Sequence, residues 1–108
     1  MKLTQKVYNQ LMEALRRHIR FGISLDDDLL LLTSPREAKT AVKQGFILPT
    51  MTETKNYPCW YKLTDKGRTI VEHWKNQGYV ILQKLCDWEI VVDKEGKLIP
   101  REIKLDNI

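Results

Sequence analysis

Four polar side chains recur at one spacing in the middle of this chain: Arg36, Lys39, Thr40 and Lys43, at i, i+3, i+4 and i+7. On a helix that spacing lines them along one face. A guanidinium and two ammonium groups can donate to phosphate oxygens or guanine edges, and a threonine hydroxyl can add a small contact between them. The chemistry on offer is recognition of a polyanion. The plainer reading is a solvated helix face, since most exposed faces carry lysine and arginine. Groups suited to bond-making are sparse. His18 and His73 lie far apart in sequence, and neither Cys59 nor Cys86 has a CxxC or CxxH neighbourhood. There is no glycine-rich phosphate loop and no G-x-S-x-G. Asp26-Asp27-Asp28 suggests a cation site, but three consecutive helical positions point in different directions and cannot converge on one ion. The expectation is a chain with no catalytic residues, no metal and no cofactor.

The elements that must carry these groups can be read from caps and periodicity. Thr4 caps a first helix running to about Phe21, with Val7, Leu11, Leu15 and Ile19 as its apolar stripe and Gly22 as its stop. Arg16, Arg17 and Arg20 lie on the other face, as a solvated or phosphate-contacting surface. Ser24 and Asp27 resemble a capping box, so a short second helix is predicted, buried by Leu25, Leu29, Leu30 and Leu32, with the aspartates in its first turn. Ser34-Pro35-Arg36-Glu37 then opens a helix to about Gln44: serine as cap, proline in the first position, glutamate three residues after the cap. Ala38, Ala41 and Val42 form its narrow buried side. Phe46–Thr52 reads as a strand, on an edge or bulged because Pro49 cannot donate to a ladder. Thr54–Pro58 is a loop and Cys59–Leu63 the returning strand. Thr64 caps the next helix, in which Gly67 lets the first turn lie close to a neighbour. Beyond Gly78, residues 79–86 fit helix and strand equally well. Trp88–Val92 and Lys97–Leu105 flank the turn residues Asp93–Gly96, as in a hairpin.

Length and composition bound the rest. A chain of 108 residues, 43% hydrophobic and 30% charged, suits one modest core. No apolar run approaches the ~20 residues that span a bilayer, and the first residues contain no continuous apolar stretch of a secretory signal. Two cysteines are too few for a disulfide framework, so a reduced, cytoplasmic protein without a membrane partner is expected. The net charge is +4, and the excess is uneven: residues 1–24 carry five basic and one acidic side chain, residues 51–78 five and three.

The predicted order is helix, short helix, tight turn, helix, strand, loop, strand, helix. Two stretches carry a family resemblance. Val42-Lys43-Gln44-Gly45-Phe46-Ile47 looks like a glycine turn from a recognition helix into a first wing strand, and Tyr61-Lys62-Leu63-Thr64-Asp65-Lys66-Gly67-Arg68 resembles the pattern Y-x-L-T-x-x-G-R. Through them, residues 4–77 resemble the winged-helix family, in particular bacterial regulators of the MarR and PadR kinds. The fold so implied is α+β: a winged helix-turn-helix over residues 1–78, with residues 79–108 an appended C-terminal β-hairpin that packs on the same domain or on a second copy. The function so implied is a duplex-DNA-binding transcription regulator, using helix 35–44 in the major groove through Arg36, Lys39, Thr40 and Lys43, with Lys55 and Asn56 of the wing assisting. A homodimer is expected, because a palindromic site is most simply read by a two-fold symmetric protein. The wing loop carries only one lysine and one glutamate, which fits an alternative: a winged-helix adaptor or inhibitor that binds a protein partner and no DNA.

Overall fold

The computed structural model describes residues 3–50, 58–78 and 87–103. In chain order the elements are α1 (Gln5–Phe21), β1 (Leu31–Thr33), α2 (Pro35–Lys43), β2 (Ile47–Pro49), β3 (Cys59–Leu63), α3 (Asp65–Asn76), β4 (Asp87–Val92) and β5 (Leu98–Ile103). The fold is α+β. Three helices accompany a three-stranded antiparallel sheet of order β1-β3-β2, and β4 and β5 form a separate two-stranded antiparallel sheet.

Helix α1 begins where Thr4 accepts from the Val7 amide and ends at Gly22, whose φ of 65° is left-handed. Val7, Leu11 and Leu15 are fully buried, but Ile19 is 41% exposed. The reason is geometric. A strict i+4 repeat drifts by about 40° per step on a helix of 3.6 residues per turn. After three steps Ile19 has rotated away from the core.

The segment read as a second helix is not one. Residues 25–30 form turns, and Leu31–Thr33 is a strand. The Ser24 side chain accepts from the Asp26 amide at 3.2 Å, and Asp27 Oδ1 accepts from the Leu29 amide at 2.7 Å. Serine and aspartate side chains here bond the nearby backbone and so compete with helix formation. Leu31 and Leu32 then pair with Tyr61 and Trp60 of β3. Among the described residues a single helix, α2, separates β1 from β2, so the two-helix unit of a helix-turn-helix is not formed.

Helix α2 starts as the sequence dictates, with Ser34 accepting from the Glu37 amide and Pro35 in the first position. It ends in a Schellman motif: Gly45 N–H donates to the Val42 carbonyl at 3.0 Å and Phe46 N–H to the Ala41 carbonyl at 2.9 Å. Gly45 has φ 81°, which a residue with a Cβ rarely adopts. The chain then enters β2, an edge strand, as its proline requires.

Strand β3 alternates cleanly. Cys59, Tyr61 and Leu63 are buried and Trp60 and Lys62 are half-buried on the opposite face. The inward set joins Leu31, Ile47, Phe46, Ala38 and Ala41, the α1 stripe, and Ile70, Val71 and Trp74 of α3 in one core. The β4–β5 hairpin packs on α3, placing Ile90 in that same core and Leu98 against it. Residues 79–86, and the ends of the predicted strands at 51–52 and 104–105, lie outside the described residues. Among the described residues no helix is long and apolar enough to cross a membrane.

Candidate nucleic-acid interface

The polar stripe of α2 exists as a surface. Ala38 and Ala41 are fully buried. Successive residues turn by about 100°, so Arg36, Lys39, Thr40 and Lys43 fall on the opposite side. Arg36, Lys39 and Lys43 are exposed and Thr40 is half-buried. The two alanines are the cause: with so little side chain, α2 lies close against the core and its outer face stands clear. None of the three cations makes an ion pair within the described residues. Lys55 and Asn56, the wing residues assigned to the same surface, lie outside the described residues.

The junction behind this helix fixes its attitude. Thr64 caps α3, its hydroxyl oxygen accepting from the Gly67 amide at 3.1 Å and lying 2.5 Å from the Gly45 carbonyl oxygen, to which it donates. The Thr64 amide donates to the Phe46 carbonyl at 3.0 Å. Lys66 donates to the Gln44 carbonyl at 2.9 Å, with its ammonium 4.4 Å from the centre of the Phe46 ring. So the carbonyls at the end of α2 are received by the first turn of α3. Gly67 permits the approach, because a Cβ there would meet the Phe46 carbonyl oxygen at less than 3.0 Å. The run Thr64–Arg68 is thus a fastening between helices.

Arg68 fastens a second place. It pairs with Asp26, with Asp65 at 2.9 Å and with Glu72 at 3.8 Å. The hydrogen bond and charge of Asp26 come first among the causes that hold its pKa above the ordinary arginine value. Lys62 stands 3.9 Å from Asp28. Two of the three consecutive aspartates therefore already face cations of this chain, and among the described residues no cluster of histidine, cysteine, aspartate or glutamate could hold a metal ion.

The arginines of α1 divide into different roles. Arg17 Nε donates to the Leu30 carbonyl at 2.6 Å, and its guanidinium lies 5.6 Å from the ring centres of both Phe21 and Trp60. Arg16 pairs with Glu13 at 3.5 Å. Arg20 is exposed and makes no ion pair within the described residues. His18 bridges the Ile23 carbonyl at 2.6 Å and the Lys75 ammonium at 2.8 Å. The ammonium can only donate, so Nε2 accepts from it and the Nδ1 proton goes to Ile23. The sequence offered one local signal for this grouping, the i, i+4 spacing of Arg17 and Phe21. The Trp60 and Leu30 contacts depend on strand pairing and had none. Compared with known proteins, the chain matches no family model, no curated protein and no solved structure.

Proposed function

We propose that the chain binds duplex DNA through the outer face of α2, as a small regulator built on a winged-helix-like frame. One observation carries the reading: three exposed cations and a hydroxyl on one helix face, without carboxylate partners among the described residues, directly opposite the buried alanines. A helix with its side chains is about 10–12 Å across, which a major groove about 12 Å wide admits. Helix, strand, helix, hairpin, helix with sheet order β1-β3-β2 supports the winged frame, with one helix where a helix-turn-helix has two. Arg36 and Lys39, nearest the capped end, are the base-reading candidates. Lys43 meets the backbone.

The test is a titration of labelled random duplex DNA at two salt concentrations. Each cation that neutralises a phosphate adds about −0.9 to the slope of log affinity against log salt, so Lys43 alone gives about −0.9 and all three cations together about −2.7. Arg36→Ala with Lys39→Ala should weaken binding by roughly 1–3 kcal/mol for each base-reading side chain removed. Absence of salt-sensitive binding at micromolar protein would sink the regulator reading. The adaptor reading would then stand in its place, favoured by Val92 and Ile99 of the hairpin, 62% and 39% exposed. A mass measurement in solution would show whether the chain pairs with a second copy.

A further inference from the structure

A second surface, separate from α2, joins aromatic rings to a group of arginines. Leu32 of β1 lies opposite Trp60, and Leu48 of β2 opposite Lys62, on the sheet face turned away from the core. Leu32 and Leu48 are 41% and 44% exposed, and Phe21, at the end of α1, is 66% exposed. Arg17 ties the end of the helix to this sheet face, because its guanidinium lies over both Phe21 and Trp60 while Nε is fixed on Leu30. Beside it is an open depression of about 220 Å³ lined by Glu13, Arg16, Arg17, Arg20 and Phe21. Three arginines against one glutamate leave two positive charges in excess there.

We propose that this depression and the adjoining outer sheet face bind single-stranded nucleic acid, with bases stacking on Phe21 and Trp60 and phosphates meeting Arg20 and Arg16. Each part has a physical reason. The depression is smaller and more open than the ~300–1,000 Å³ pockets that enclose small molecules, so it suits a flat ring laid on a surface. Exposed aromatics beside cations accept any base, since every base has a π-face and each phosphate a charge to neutralise. An arginine stacked on two rings is already ordered, so little of its freedom remains to be lost on binding. The helix C-terminus contributes a negative partial charge at this place. The guanidinium groups outweigh it, so the depression stays net positive. An acidic peptide would satisfy the charges but leave the rings unused.

The experiment uses the full chain and four labelled probes: a twelve-residue oligothymidylate, an abasic deoxyribose-phosphate strand of the same length, a duplex and polyglutamate. The oligothymidylate should bind more tightly than the abasic strand. Phe21→Ala should weaken the oligothymidylate about tenfold, as expected for one stacking partner removed, and Phe21→Tyr should restore it. Arg20→Ala should weaken both single strands. Phe21 is largely exposed at a helix end, so these variants should keep the wild-type melting curve; Trp60→Leu gives an independent second removal of a ring. Arg36→Ala with Lys39→Ala should leave oligothymidylate binding unchanged, which keeps this site and the duplex site separable. Equal binding of the abasic strand, an unaffected Phe21→Ala, or loss of oligothymidylate binding in the α2 variant would each overturn the proposal. So would polyglutamate binding as tightly as oligothymidylate.

Discussion

Replacing Gly67 by alanine tests whether the contact between the end of α2 and the start of α3 holds the fold together. The new Cβ would sit closer than 3.0 Å to the Phe46 carbonyl oxygen, 3.1 Å from the carbonyl carbon and 3.3 Å from Leu63 Cδ2. The leucine methyl can give way, but the carbonyl cannot do so freely. It already accepts from the Thr64 amide at 3.0 Å and lies 3.1 Å from the Thr64 hydroxyl. Moving it weakens a hydrogen bond worth about 1 kcal/mol, on top of an overpacking strain of about 1–3 kcal/mol. Alanine returns about 1 kcal/mol through its better helix propensity. The net loss is about 1–3 kcal/mol. For a domain near this size each 1 kcal/mol moves Tm by roughly 4–8 °C. A drop of about 4–24 °C is therefore expected in a far-UV circular dichroism melt, with 2 kcal/mol giving roughly 8–16 °C. Duplex affinity measured well below Tm should be unchanged. A Gly67→Ala protein melting within about 2 °C of wild type, or above it, would refute the reasoning. Loss of binding at unchanged Tm would show instead that Gly67 touches the ligand.

Thr64→Val should lower the unfolding free energy by about 2 kcal/mol, read as a lower denaturant midpoint at unchanged m, since the cap is removed and the Gly45 carbonyl loses its hydroxyl donor; Thr64→Ser should recover most of it. Arg68→Gln should leave Tm nearly unchanged yet speed amide exchange in residues 24–30, because the ion pair to Asp26 anchors an exposed loop. The raised Arg68 pKa means that its contribution is fully present below the ordinary arginine value and fades only as pH rises past the folded one. Across neutral pH that anchor should therefore show no loss from the arginine side. Arg17→Met should expose the Leu30 carbonyl and lower Tm, whereas Arg20→Met should not.

Signals confined to a few neighbouring residues were legible in the chain. Thr4, Ser34 and Thr64 cap the helices they were expected to cap, Gly22 ends α1, and the alternation from Cys59 to Leu63 gives the buried side of β3. Gly67 could be read as a close-packing position from its place after a cap. What pairing at a distance decides was not legible. Leu29–Thr33 has the apolar content of either a helix or a strand, and only contact with β3 settles it. The leucines at 25, 29, 30 and 32 imitated a helix, while Leu31, outside that pattern, proved fully embedded at 1% exposure. Arg17 looked like a solvated charge because its partners, Leu30 and Trp60, stand 13 and 43 positions away. The polar stripe of α2 was legible in full, since a cap, two alanines and a fixed period define it.

Each rim of the three-stranded sheet has one position that cannot pair with a further strand. The Thr50 amide points inward to the Trp60 carbonyl, at 3.0 Å, so the preceding nitrogen points outward, and it belongs to Pro49 and carries no hydrogen. At the other rim the Leu30 carbonyl, at the head of β1, is already taken by Arg17. A flat, unpaired rim is a template for aggregation and for runaway polymerisation. Here a missing donor guards one side and an arginine the other. A strand added at either rim would therefore forgo a hydrogen bond there, which makes fibril growth from the main sheet less favourable.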